Sequence, residues 1–329
     1  MIDFDDWTAT LSTPGLASLC LLAGLVLLVR GRRPARRRWA RGLLVVWVSS
    51  LAWLALEAAF VFGVDTTDAF AASLLSRRWF HRHAGPPNRL GLRERELPPG
   101  PPGVVVLGDS FVWGNGVADR SRRVSARLET YLGGGRTVVN CAHPGFGTAE
   151  ETELYAQLVA AHGAPGALVH VYVWNDAPAP PGEAGFAPPP APLDRLLRRS
   201  YALDFFALRA RALFDPAVRG YLARVARRYE DPALLARHEA ELDALRAAAE
   251  GRGTRYLLVG WPFHGQGDAF APAYAWLARY AAARRVQYLD LAPVFAGRPP
   301  AELTVGRFDQ HPNETAHDLA ARAIAAALQ

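Results

Sequence analysis

Two apolar runs flanking a dense arginine cluster constrain this chain more than any other feature. Residues 11–29 carry no charge, and residues 42–64 carry only Glu57. Each is long enough to cross the roughly 30 Å of bilayer hydrocarbon as a helix. Between them lies RGRRPARRRWAR, with seven arginines and no acid. Positive charge in a short loop marks the cytoplasmic side of a membrane. The pattern predicts a two-helix transmembrane hairpin over residues 1–64, with spans at about 11–29 and 42–64. Everything after residue 64 then lies outside the cytoplasm, periplasmic or extracellular. A cleaved signal peptide needs a basic start and a small-residue cleavage site; here acids come first and arginines follow. Glu57 inside the second run has two readings, a proton or ion site, or a group turned toward the partner helix.

The formal charge of +6 is smaller than the arginine count of that one loop, so the rest of the chain is near balance. No later basic stripe carries interleaved aromatics, which argues against nucleic acid as a partner. Lysine is absent, a compositional bias shared with the abundant Ala, Gly and Pro. Cys20 falls in the first apolar run and Cys141 far beyond it, so no disulfide framework and no zinc spacing is visible. No ligand set for a metal or an organic cofactor is present, and none is expected.

Residues 65–102 mix Arg, Pro and Gly and end in LPPGPPG, which neither a helix nor a central strand can continue, so they are read as a juxtamembrane linker. From residue 103 to 329 short apolar runs alternate with helical patterns. Strands are predicted at 103–107, 137–140, 167–174, 254–261 and 286–291, with helices at 121–132, 148–162, 231–251, 272–284 and 313–328. The strand runs are continuously apolar, as in a parallel sheet covered on both faces. This is the pattern of a three-layer, doubly wound α/β domain, whose ligands bind beyond the carboxyl ends of the strands. Residues 177–230, Pro-rich and then helical with arginines on one face, are read as an insertion or cap.

Ser110 closes the run VVVLGDS at the end of the first strand. A hydroxyl there can stand exposed at a strand-to-helix turn, although Asp and Ser are also ordinary turn residues. As a nucleophile it needs a base, and the oxyanion it generates needs donors. Gly145 follows the second strand, Asn175 the third, and FDQHPN leads into the last helix. Each has a bland alternative as a turn residue, a helix cap or a surface residue. Asp109 and Asp176 are read as loop-holding carboxylates. His264 and Asp268, in GWPFHGQGD after the fourth strand, are candidate substrate contacts.

Taken in order, Ser110 in GDSF, Gly145 in NCAHPGFG, Asn175 in VYVWND and His311 in DQHPN resemble the four marker residues of the SGNH (GDSL-like) hydrolase superfamily. The resemblance spans about 103–329 and implies a flavodoxin-like sheet with a serine nucleophile at Ser110 and a general base at His311. It implies an oxyanion hole from the Ser110 and Gly145 amides and the Asn175 side chain. One departure stands out. The family pattern is Asp-x-x-His, whereas Asp309 precedes His311 by two residues, so Asp309 or a backbone carbonyl is left to orient the imidazole. The resemblance implies an acyl-ester substrate, carbohydrate-borne or lipid-borne. Three activities fit it: a membrane-anchored esterase, an O-acyltransferase acting on exported or cell-surface polysaccharide, and a non-catalytic carbohydrate-binding relative. Two spans are too few for a transporter acting alone.

Overall fold

A computed structural model describes residues 7–29, 34–68, 72–180, 183, 190–264 and 267–329. In chain order its elements are α1 (Trp7–Val29), α2 (Pro34–Gly63), α3 (Leu74–His83), β1 (Val104–Gly108), α4 (Ser110–Trp113), α5 (Val124–Leu132), β2 (Val138–Ala142), α6 (Thr148–His162) and β3 (Ala167–Tyr172). There follow α7 (Ala191–Leu197), α8 (Tyr201–Phe214), α9 (Pro216–Arg219), α10 (Tyr221–Arg228), α11 (Pro232–Glu250), β4 (Arg255–Gly260), α12 (Ala271–Arg284) and β5 (Gln287–Asp290). The chain closes with α13 (Ala292–Phe295), α14 (Pro300–Leu303), β6 (Thr304–Gly306), β7 (Asp309–Pro312) and α15 (Glu314–Leu328). The described residues divide into two compact units. One is drawn from 1–66, 70–81 and 186–215, the other from 67–69, 82–185 and 216–329. The stretch 177–230, expected as one insertion, is shared between them: α7 and α8 belong to the first unit, α9 and α10 to the second.

In the first unit α1 and α2 pack closely through small residues. A Cβ on Gly24 would lie 3.2 Å from Leu43 Cδ2, and the Ser18 and Ser50 hydroxyls are 3.4 Å apart. Among the described residues one helical stretch, Arg37–Gly63, is long and apolar enough to cross a membrane by length and composition; Gly15–Val26 is apolar but shorter. The expectation of two spans is thus met by one. Glu57 is buried, and its role is local. Its carboxylate accepts from Ser200 Oγ (2.8 Å), Tyr201 N (2.6 Å) and Ala202 N (3.2 Å), so it caps the amino end of α8. The Arg78 guanidinium does the converse at the carboxyl end of α2. It donates to the carbonyls of Phe60, Val61 and Val64 and lies 4.6 Å from the Tyr201 ring centroid.

The second unit is built on a five-stranded, all-parallel sheet in the order β2-β1-β3-β4-β5. The five strands are the five the sequence predicts, with ends shifted by one or two residues. Helices α6, α11 and α12 cover one face, where Leu154, Leu158, Leu242, Leu245 and Leu277 pack on Val105, Leu107, Leu168 and Leu258. Helices α5 and α15 cover the other, with Asn140 of β2 donating to Ser125 Oγ of α5 (3.1 Å). Three layers result, as the alternation predicts. The chain leaves β1 for β2 at one edge, then returns across β1 to β3, so β1 and β3 flank the point where the strand order reverses. Crevices form beyond the strand ends at such a point.

Candidate active site

Ser110 stands at that reversal. Gly108, the last residue of β1, lets the chain fold back tightly, since a Cβ there would lie 2.5 Å from Val112 Cγ2. Asp109 caps α4, its Oδ1 accepting from the Phe111 amide at 2.8 Å. Ser110 thereby opens a one-turn helix that ends at Gly114, whose φ is +82°.

His311 and Asp309 reach Ser110 from the other end of the chain, on β7. The sequence places them in a lead-in to the last helix; the structure makes them a strand, paired antiparallel with β6. Successive side chains on a strand point to opposite faces, so residues two apart share one. That shared side allows an Asp-x-His spacing, and an Asx-type turn in an irregular ribbon tightens it. Asp309 Oδ1 accepts from His311 Nδ1 at 2.5 Å and from the His311 backbone amide at 3.0 Å. With Nδ1 holding its proton on Asp309, Nε2 is the acceptor, and it lies 2.9 Å from Ser110 Oγ. The other carboxylate oxygen, Asp309 Oδ2, accepts from the Thr67 hydroxyl.

The electrostatics match an ion-pair-ready dyad. Burial alone raises Asp309, but the His311 imidazole and the donors from His311 and Thr67 outweigh it and hold the carboxyl below its usual range. Burial pulls His311 down, yet Asp309, with Asp109 and Asp68 behind it, leaves the imidazole above its ordinary value. The Phe111 ring meets the imidazole edge-on at 5.5 Å. His317, in α15, is a different kind of histidine. Its Nδ1 accepts from the Val124 amide at 3.1 Å, and burial with Arg123 and Arg93 nearby pushes it down to about 3.

Asn175 follows β3 and comes to the same mouth. Its Nδ2 donates to Asp109 Oδ2 at 3.1 Å, and the Ser110 hydroxyl lies 3.1 Å from that same oxygen. An amide nitrogen carries two hydrogens, so one remains beyond the bond to Asp109. Burial raises Asp109 despite these donors. Asp176 closes the turn beneath Asn175 by accepting from the Val173 amide at 2.8 Å. Asp176, Glu151 and His170 are fully buried together, with one oxygen or nitrogen of each within 4.8 Å of the others. They are the described residues best placed to hold a cation. Both His170 nitrogens are already engaged, with Tyr256 OH at 2.7 Å and Glu151 Oε2 at 2.9 Å.

The other sequence candidates fall differently. Gly145 lies in an exposed turn after β2 with φ of +82°, a left-handed conformation that favours glycine. No described hydrogen bond ties Gly145 to the triad. His264 packs edge-on against Phe295 at 4.9 Å, with Nε2 buried and unpartnered among the described residues, and burial pushes it down to about 4. The Asp268 side chain lies outside the described residues. Beside the triad runs an aromatic wall: Phe111 is 6.4 Å from Phe263, which is 5.1 Å from Trp174, itself 4.5 Å from Phe270 and 6.2 Å from Tyr221.

Two contacts escape the sequence reading. Asn115 Nδ2 lies 3.4 Å from His311 Nε2, in a turn between Gly114 and Gly116, both at positive φ; the W-G-N-G pattern is its signal. Thr67 has none, because it lies in a segment read as linker.

No protein-family model matches the chain, and no curated protein matches it. Solved structures do resemble it. A G-D-S-L family protein from Desulfitobacterium hafniense DCB-2 is 16% identical over 68% of this chain and 98% of its own, with a TM-score of 0.41. Est24, a carbohydrate acetylesterase from Sinorhizobium meliloti, is 11% identical over 69% and 98%, with a TM-score of 0.40. The lipase/acylhydrolase from Enterococcus faecalis is 12% identical over 68% and 93%, with a TM-score of 0.41. Likenesses this distant carry no weight on function.

Proposed function

We propose that this protein is a serine esterase of the SGNH type, anchored in a membrane, that cleaves acyl esters through a covalent Ser110 intermediate. The observation that carries this reading is the unbroken chain from Ser110 Oγ to His311 Nε2 (2.9 Å) and from His311 Nδ1 to Asp309 (2.5 Å). A serine activated by an imidazole that a carboxylate orients is equipped for acyl transfer. Ser110 Oγ bonds to the ester carbonyl carbon while its proton moves to His311 Nε2. The C–O bond of the tetrahedral adduct then breaks, and the alcohol leaves with that proton. Water, deprotonated by His311, adds to the acyl-enzyme, and release of the acid restores Ser110. The oxyanion is held by the Ser110 and Gly145 amides and the second Asn175 hydrogen, each worth about 2.7–4 kcal/mol in the transition state. An acceptor hydroxyl in place of water would make the same site a transferase, which product analysis with and without a glycan acceptor distinguishes.

The anchor reading adds α1 as a second span beside α2. The arginine-rich loop between them is then cytoplasmic, and the α/β domain lies outside the cytoplasm. Protease added to intact spheroplasts should digest the domain; protection would overturn this orientation. The enzymatic test is fluorophosphonate labelling of the full chain in detergent. Wild type should be labelled, and Ser110→Ala and His311→Gln should not. A folded wild type that resists the probe would sink the esterase reading.

A further inference from the structure

We propose that the segment following α2 is part of the catalytic machinery, with Thr67 as the positioning residue for Asp309. The inference rests on the esterase reading. Asp309 is 1% exposed, so each of its oxygens needs a protein donor. Both hydrogen bonds from His311 fall on Oδ1, leaving Oδ2 to Thr67 Oγ1, a residue 242 positions away in sequence. Among the described residues no other donor reaches Oδ2. The Thr67 hydroxyl therefore fixes the rotation of the carboxylate and keeps Oδ1 aimed at the imidazole.

Asp68, also buried, adds negative charge that favours the imidazolium. Asp309 on β7, Asp109 at the end of β1 and Asp68 face His311, and His317 of α15 lies near it, held neutral by burial. Thr67 is the fourth residue after Gly63, where α2 ends. The last layer of the triad thus comes from residues just after α2, which belong to the same compact unit as the sheet.

The test is made on the full-length protein in detergent, comparing wild type, Thr67→Val and Thr67→Ser. Fluorophosphonate inactivation is followed against pH, together with the low-field proton resonance of His311 Nδ1–H. Thr67→Val should lower the maximal inactivation rate constant about tenfold or more with little change in probe affinity. Its acid limb should move to higher pH, because a carboxylate stripped of a donor holds the imidazolium proton more tightly. The Nδ1 resonance should shift or broaden, and Thr67→Ser should restore all three. A Thr67→Val protein with the wild-type rate, pH profile and resonance overturns the proposal. So does a serine variant that regains stability without regaining them. If wild type itself is never labelled, the esterase reading falls and the resonance alone decides: unmoved in Thr67→Val, it overturns the positioning role as well.

Discussion

Replacing Asp309 by asparagine separates charge from orientation at this site. Oδ1 faces two donors, His311 N at 3.0 Å and Nδ1 at 2.5 Å, so in Asp309→Asn the amide oxygen must take that place. The amide nitrogen then faces Thr67 Oγ1, which has lone pairs to accept it. The Nδ1–H tautomer survives and Nε2 can still take the Ser110 proton. What is lost is the attraction between carboxylate and imidazolium. With charge centres about 4 Å apart and an effective dielectric near 20, that is about 4 kcal/mol, or about a thousandfold in rate. Asp309→Ala loses the orienting bond too and should be slower still. The pH profile carries its own sign. Asp309 is the strongest influence holding His311 up against burial, so without its charge the acid limb should move to lower pH, opposite to the shift expected for Thr67→Val. Hydrolysis of p-nitrophenyl acetate across pH, with the variants' melting checked in parallel, measures both. An asparagine variant within threefold of wild type, or slower than the alanine variant, would refute this account of the dyad.

Asn175→Ala should lower kcat about 100-fold or more with KM nearly unchanged, since the donor acts on the developing oxyanion; steady-state kinetics decide. Gly108→Ala forces a Cβ to 2.5 Å from Val112 Cγ2 and 3.2 Å from the Val171 carbonyl, so it should destabilise by about 1–3 kcal/mol and displace Ser110. Fluorophosphonate labelling should then fall further than thermal unfolding alone explains. Glu57→Ala strips three donors at the start of α8 of their acceptor and should destabilise by about 2–4 kcal/mol, with Glu57→Gln milder, read by thermal unfolding in detergent.

The sheet was legible because its strands are buried on both faces and read as unbroken apolar runs. Thr148–His162 and the carboxyl ends of α5, α12 and α15 also fall where periodicity puts them. Short elements set by tertiary pairing were not visible. The strands β6 and β7 are three and four residues long and exist only because they pair with each other. Helix α3 (LLSRRWFHRH) lies in a stretch whose arginines and prolines suggest irregular chain, yet Arg78 inside it is buried and spends its donors on the end of α2. Ser110 and Asn175 stand out in the sequence as residues that follow strands, and His311 as one that precedes the last helix. The bond from Asn175 to Asp109 and the one from Thr67 to Asp309 were not, since no spacing encodes which partner a side chain meets across the fold. In the sequence Glu57 poses a question about the membrane; in the fold it caps a helix 143 residues on.

Placing acid and base two apart on a strand also restricts how such a gene can change. In a loop, one residue gained or lost between the two can be absorbed by the turn. On β7 a single insertion or deletion between Asp309 and His311 would send one of them to the opposite face of the ribbon and break the pair. Descendants of this chain must therefore keep a single residue between the acid and the base, since at about 3.3 Å per residue a wider same-face spacing would carry the two out of reach. A motif search tuned to the longer spacing would pass over all of them.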